Sequence, residues 1–415
     1  MSISKIKIQN FKSFEKAEFE LNKFNVLIGA NSSGKSNFVQ FLQFVRNISD
    51  YGLDNAVSMG GGIDYIRNLS LGANTNLAFY IEGEASTDVR IPLGIIDGQN
   101  KIIMIDTQSY RYDFDASFRK RKLAFDRIND SLILKGNFIL LTPEKIVKCG
   151  IGSIELRNNN GQFENVLKIP NSLQEEELNL NMLPVDFFKD TVKDAKTILE
   201  ISKIPSRLFC SDIAIFDFDP RLPKKAIAIN GKVELEEDGS NLAIVLGNVI
   251  RNKEKKRRLS NLLNDVLPFI SNLDVEKLSD KSLLFTLKEN YSQNHVIPAS
   301  LISDGTINII ALIIALYFEQ KPIIILEEPE RNIHPELISK MVNMMRDASN
   351  KKQIIITTHN AEVVRNAGIE NLLLVSRNAE GFSTISSPKD NSVVISFLQD
   401  ELGLDELFVS NMLGC

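Results

Sequence analysis

The sequence predicts an α/β fold: a parallel core sheet fed by a glycine loop, an antiparallel layer beside it, and a mixed, largely helical insertion. Three observations carry this prediction. Phe24 to Phe44, FNVLIGANSSGKSNFVQFLQF, reads as apolar strand, glycine loop and helix in succession. Pro322 to Leu326 is an apolar run ending in Glu327-Glu328-Pro329-Glu330, and a helix and a second apolar strand, Gln353–Thr357, follow it. Between these ends, several segments alternate apolar and polar residues, as half-buried antiparallel strands do.

The 415 residues suffice for two or three average domains, or for one large α/β domain carrying an insertion. The expected division is 1–109, 110–270 and 271–415. Hydrophobic content of 43% and charged content of 24% are those of an ordinary globular protein. A net charge of −5 argues against coating nucleic acid through bulk charge, though it leaves room for a local basic patch. Cys149, Cys210 and Cys415 form neither a metal spacing nor an even disulfide set, which fits a reducing, cytoplasmic compartment. MSISKIKIQNF lacks a secretory apolar core, and the most apolar run, Ile307–Phe318, is too short to span a bilayer. No membrane association is expected.

Taken in order, residues 3–9 alternate as a strand, turn through Asn10-Phe11-Lys12-Ser13-Phe14, and alternate again over Ala17–Leu21. The turn around Lys12 and Ser13 either borders a bound nucleotide or only closes a hairpin. Val57–Ile63 reads as a loop whose three consecutive glycines turn the chain or approach a ligand. Strands are expected over Asn76–Glu84, Arg90–Ile96, Lys101–Thr107 and Ser131–Leu134. Helical spacing of apolar residues predicts helices over Phe187–Ile201, Asp238–Ile250 and Lys255–Val266. The basic runs Arg119–Lys122 and Lys253–Arg258 are solvated faces or phosphate-backbone contacts. Ile307–Phe318 predicts a long apolar helix, Leu372–Ser376 and Phe382–Ser386 a hairpin, and Asp390–Leu398 and Glu401–Leu413 short closing helices.

Gly29-Ala30-Asn31-Ser32-Ser33-Gly34-Lys35-Ser36 matches the phosphate-binding pattern G-x-x-x-x-G-K-[ST] in full. Its glycines let successive N–H groups turn toward an anion, and the N-terminus of the following helix, where Asn37 lies, adds partial positive charge. Lys35 is placed to reach the β- and γ-phosphates, and the Ser36 hydroxyl to take a position on Mg²⁺. Gln40 and Gln43 on the same helix have no assigned role beyond packing or exposure.

The order GANSSGKS, SDGT (303–306), IIILEEPE (323–330) and TTH (357–359) resembles the ABC-type ATPase heads of the SMC, RecF and OLD (overcoming lysogenization defect) group. It resembles in particular the stand-alone AAA-family, OLD-like ATPase subunits of bacterial anti-phage defence systems of the Septu and PARIS kind. The likeness covers about 1–85 and 290–375, and reaches the middle only in LEEDGSNLA (235–243). It implies that Asn31 to Asn37, with Lys12, hold ATP, and that Glu327 supports Mg²⁺ beside Ser36. Glu328 is then the general base and His359 the sensor of the γ-phosphate. Of the neighbouring carboxylates Glu327 and Glu328, one is expected to titrate above the ordinary range. Ser303, Asp304 and Gly305 stand at the signature position, which contacts nucleotide held by the opposite subunit of a head-to-head dimer. Asp and Thr depart there from the fuller LSGGQ form, and the stretch also suits a plain helix start.

The resemblance implies an ATP-hydrolysing sensor or scaffold that works as an ATP-gated dimer or larger assembly. OLD nucleases carry a Toprim domain after the ATPase head, whereas about 55 residues follow His359 here. A separately encoded nuclease or toxin is therefore the expected effector. The alternative is a RecF-like repair ATPase that clamps DNA, with the two basic runs as its support. His334, in the turn Arg331–Pro335, is expected at an interface and not in catalysis.

Overall fold

The computed structural model describes residues 1–85, 89–96, 101–119, 124–173, 178–180, 182–183, 195–201, 212–279, 281–291, 295–391, 394 and 403–413. The chain divides into two compact units. The first comprises Met1–Asn22, Ser32–Ile213 and Val375–Ser386, and the second Lys23–Asn31, Ala214–Leu374 and Ser387–Cys415.

The first unit opens with the expected hairpin, β1 (Ser2–Phe11) and β2 (Phe14–Glu20), paired so that Ile6 faces Phe19 and Ile8 faces Ala17. The chain then enters the second unit as β3 (Phe24–Ile28) and returns in the helix α1 (Lys35–Tyr51). Phe38, Phe41 and Phe44 of α1 are buried, and their rings meet Phe19, Phe11 and Phe79. Such aromatic pairs add about 0.5–1.5 kcal/mol each beyond area burial. The residues expected as a loop from Val57 instead continue the helix α2 (Leu53–Met59); the glycines turn the corner into α3 (Ile63–Ile66). Gly61 and Gly62 take φ of 91° and 97°, which glycine adopts without strain.

Seven further strands complete the antiparallel layer: β4 (Leu77–Glu84), β5 (Arg90–Ile96), β6 (Lys101–Phe118), β7 (Phe125–Leu141), β8 (Ile146–Asn159), β9 (Gln162–Lys168) and β10 (Leu178–Asn179). The strand order is β2-β1-β4-β6-β7-β8-β9, with β5 on the first half of β6 and β10 on β5. The expectation of a largely helical insertion over 110–270 is corrected here, because its first part is this long antiparallel ribbon. In β6 the inward residues are Ile103, Ile105 and Thr107, then Tyr110, Tyr112, Phe114, Ala116 and Phe118. A register shift between Thr107 and Ser109 changes parity so that both stretches face the core. Gly136 sits opposite Thr107, where a Cβ would lie 2.0 Å from the Asp106 carbonyl oxygen.

Of the helix expected over Phe187–Ile201, residues 184–194 lie outside the described residues, and the described end is one turn, α4 (Ile198–Ile201). Lys120–Lys122, Cys210, Cys415 and most of Asp390–Leu398 also lie outside them. The buried Asp130 carboxylate holds the α4 turn on the sheet. It accepts hydrogen bonds from the Ile198 N–H at 2.7 Å, Tyr112 Oη at 2.7 Å and Asn158 Nδ2 at 2.6 Å.

The second unit holds the parallel core. In order β11 (Ile213–Phe216), β16 (Ile323–Glu327), β17 (Gln353–Thr358), β3 and β18 (Leu372–Arg377) lie side by side; from Val375 the chain, including β19 (Ser383–Ser386), belongs to the first unit. β16, β17, β3 and β18 pair parallel, and their unbroken apolar runs reflect burial on both faces. Packed with them are α5 (Leu242–Arg251), α6 (Lys253–Val266), α7 (Asp304–Tyr317), α8 (Pro335–Ser349), α9 (Ala361–Ala367) and α10 (Leu404–Val409). A small antiparallel sheet adds β12 (Ile227–Ala228), β13 (Ile270–Ser279), β14 (Ser282–Glu289) and β15 (Ile297–Pro298). α7 is the expected apolar helix, and its residues Ile307 to Leu316 are buried without a break. The basic run Lys253–Arg258 forms the exposed first turns of α6, and Arg258 lies over the rings of Tyr317 and Phe318. No helix among the described residues is long and apolar enough to cross a membrane.

Burial pushes Asp130 from the ordinary 3.8 up to about 7, against the pull of its three donors and with a further push from Glu200. An acid raised in the fold stabilises it fully below 3.8, and that contribution is lost as pH rises through about 7. Asp130→Asn removes the titration and keeps the acceptor for Ile198. Thermal unfolding midpoints should therefore show the wild type losing ground to the variant, by a few degrees, as pH rises through this window. A difference that stays constant with pH would refute the titration.

Candidate active site

The phosphate loop joins β3 to α1, and it is built for close backbone approach. Ser32 has φ of 63° and Gly34 φ of 123°. A Cβ on Gly34 would lie 2.2 Å from Ser383 Oγ and 3.1 Å from Ser13 Oγ, so the position admits only glycine. Ser383 donates from Oγ to the Ser33 carbonyl at 2.5 Å and its Oγ lies 2.7 Å from Ser13 Oγ, while Asn37 Nδ2 donates to Ser13 Oγ at 2.6 Å. Arg377 donates from Nε and Nη2 to the Ser32 carbonyl at 3.1 and 3.0 Å. Ser13, Arg377 and Ser383 thus brace the loop within the first unit. Sequence reading singled out Ser13 as one end of an ambiguous turn. It missed the other two, which lie about 345 residues further along the chain with no motif of their own.

α1 begins at Lys35 with no side-chain cap and no acidic residue in its first turn. Its N-terminal N–H groups and partial positive charge are those of an anion site, and a triphosphate suits them. Ser36 is exposed at the second helical position, where a hydroxyl can take a place on Mg²⁺. Lys12 occupies a left-handed turn position, its N–H on the Ile66 carbonyl and its own carbonyl accepting from Asn68 Nδ2. Burial lowers the Lys12 ammonium pKa. Its side chain lines a cavity of about 360 Å³ with Gln40, Gln43 and Asn47.

In the second unit β16 ends at Glu327, and Glu328 follows with φ of 43°. A non-glycine residue held there costs about 1–3 kcal/mol, and such residues gather at functional sites. Glu328 is half-buried and both of its carboxylate oxygens are held. Oε1 lies 2.8 Å from His359 Nδ1, and Oε2 accepts from Arg331 Nη2 at 3.2 Å. Arg331 also bonds Asp217 through Nη1 at 3.1 Å. Burial pushes the Glu328 carboxyl up, but the hydrogen bonds and charges of His359 and Arg331 outweigh it, and the net shift is downward. Of the pair Glu327 and Glu328, in which one raised carboxyl is expected, Glu328 is therefore not the raised member. Glu330, which sequence reading left without a role, is the carboxyl that burial raises.

Ser303 caps α7 by accepting from the Thr306 N–H, Asp304 pairs with Lys224 at 2.5 Å, and Gly305 packs on Asn332. A Cβ on Gly305 would lie 2.4 Å from the Asn332 carbonyl oxygen. The signature stretch is thus a helix start fastened to the turn after Glu328. His334 caps α8 and is exposed. Glu328 and His359 are brought together in the second unit, while Ser32 to Asn37 and Lys12 belong to the first.

The family model described as "AAA domain, putative AbiEii toxin, Type IV TA system" matches residues 24–365. The chain belongs to this family. Similar solved structures include an SMC head bound to the C-winged helix domain of ScpA, at 15% identity and a TM-score of 0.45, covering 93% of this chain and 98% of that one. The SMC head domain from Thermotoga maritima matches at 14% identity and a TM-score of 0.41, with 93% and 99% coverage. An Smc head domain with an extended coiled coil, bound to the C-terminal domain of ScpA derived from Pyrococcus furiosus, matches at 15% and 0.43, with 96% and 99% coverage. No curated protein matches.

For this AAA-domain protein the brace on the loop sets a test. Gly34→Ala adds about 1–3 kcal/mol of backbone strain to the clash with Ser383, so ATP affinity by calorimetry should fall about tenfold or more. Arg377→Ala frees the Ser32 carbonyl and should weaken binding by a smaller factor. Wild-type affinity in both variants would mean that the loop geometry does not set nucleotide binding.

Proposed function

We propose that this protein binds Mg-ATP on the loop Asn31–Asn37 and hydrolyses it as a dimer, serving as sensor or scaffold in a bacterial anti-phage defence complex. The observation that carries the catalytic part is Glu328, a strained acid whose two oxygens are held by His359 and Arg331, in a chain of the AAA-domain family. With its pKa lowered, Glu328 is ionised at neutral pH and able to take a proton from water. His359, hydrogen-bonded to it, is the residue through which the state of the site reaches α9. Lys35 supplies charge to the phosphates, and Ser36 with Glu327 would hold Mg²⁺, which screens the developing charge.

Ser303, Asp304 and Gly305 lie at the exposed or half-exposed start of α7 and would contact nucleotide held by a second copy of the chain. ATP then closes the dimer, hydrolysis reopens it, and a separately encoded nuclease or toxin is held or released. The exposed basic start of α6 favours a second reading, in which the closed dimer clamps DNA.

Lys35→Ala should abolish ATP binding. Glu328→Gln should bind ATP and stay dimeric, and Ser303→Arg should bind ATP without dimerising. The mass of Glu328→Gln by light scattering, with and without Mg-ATP and duplex DNA, separates the two readings. An ATP-driven dimer indifferent to DNA supports the sensor or scaffold, and one that retains DNA supports the clamp. Wild-type hydrolysis by Glu328→Gln would exclude it as the base.

A further inference from the structure

Glu330 is 6% exposed and lies two residues beyond Glu328, across Pro329. Its Oε1 accepts a hydrogen bond from Thr358 Oγ1 at 2.5 Å, and its Oε2 has no partner among the described residues. Thr358 is fully buried at the end of β17, and the same hydroxyl accepts from the Asn360 N–H at 2.9 Å. Asn360 in turn caps α9, accepting from the Glu362 N–H at 2.8 Å. Three consecutive residues are therefore each committed: Thr358 to Glu330, His359 to Glu328, and Asn360 to the start of α9. A buried carboxyl is an expensive way to fill space, and an apolar side chain would pack there without the desolvation cost. Its presence calls for a polar task.

We propose that Glu330 is a positioning residue: through Thr358 it fixes the end of β17 to the corner after β16, and so presents His359 to Glu328. The His359 side chain is 55% exposed, so its aim depends on the backbone on either side. The corner and the strand end are stapled twice, once by the exposed Glu328–His359 pair and once by the buried Glu330–Thr358 pair. Removing the buried staple should release the exposed one. Burial raises the Glu330 carboxyl, with Glu328 adding to the rise, which disfavours a second negative charge beside the first. A neutral isostere should therefore serve in its place.

This inference rests on the hydrolytic reading for its kinetic consequence but not for its structural one, and the test has two independent readouts. The chain has three histidines, so the His359 imidazole can be assigned and followed by NMR. Glu330→Ala should shift the His359 ring resonances away from the wild-type positions, whereas Glu330→Gln should leave them in place. Thr358→Val cuts the same staple at its other end with little change in volume and should reproduce the Ala shift if Glu330→Ala fails to fold. In ATP turnover, the staple-cutting variants should lose about tenfold to a hundredfold in kcat with KM nearly unchanged, and Glu330→Gln should retain activity. Unmoved His359 resonances in both Glu330→Ala and Thr358→Val would overturn the proposal. So would a Glu330→Gln variant as perturbed as Glu330→Ala, since that makes the charge, not the hydrogen bond, the operative feature. A wild type that does not hydrolyse ATP would sink the hydrolytic reading while the NMR comparison still decides the positioning role.

Discussion

The second unit depends on one register. Glu327 of β16 pairs with Thr357 of β17, Thr357 pairs with Leu27 of β3, and Thr358 with Ile28. Three parallel strands therefore end level with one another. The residues just past these strands arrive at the same edge of the sheet: Gly29 and the start of the loop after β3, Glu328 after β16, and His359 after β17. Ligand sites in open parallel sheets form outside these carboxyl ends, because loops from several strands converge there while the strands stay buried. A slip of one residue in β17 would turn His359 to the opposite face. The apolar runs of Ile323–Leu326 and Ile354–Ile356 hold the register, and all of them are fully buried.

Against this regular background each unit has its irregular features, the second at the corner after β16 and the first in the phosphate loop. Glu328 takes a left-handed conformation, Glu330 buries a carboxyl, and Ser32 and Gly34 bend the loop. Each is tolerated because its surroundings over-determine it: the Glu328 N–H donates to the Thr357 carbonyl at 3.0 Å, and Ser383, Ser13 and Arg377 hold the loop from behind. Strain of this kind persists only where the surrounding structure over-determines it.

Much of this was legible in the sequence, and the parts that were not have physical causes. The core strands announce themselves as unbroken apolar runs, and the glycine loop, the acidic corner and Thr358-His359 come directly after them. The antiparallel ribbon was read only in pieces, as Lys101–Thr107 and Ser131–Leu134. The bulge after Thr107 changes the parity of β6, so a strict alternation test stops there although the strand runs on to Phe118. The pinning of the loop by Arg377 and Ser383 was invisible because it joins residues far apart in the chain through hydrogen bonds. The direction of the Glu328 shift was hidden for the same reason. Adjacent acids are visible in a sequence, but the cationic and hydrogen-bonding partners that decide their charge are not.

The stretch Glu328-Pro329-Glu330 shows how partner type, and not residue type, sets the state of a carboxyl. Glu328 is half-buried and meets a histidine and an arginine, both able to donate to its charged form. Glu330 is more deeply buried and meets a neutral hydroxyl, so burial prevails and the carboxyl is raised. A pair of acids this close in the chain cannot both be ionised cheaply in a half-buried corner. The division gives the corner one charged acid held by His359 and Arg331 and one that braces the strand end through Thr358.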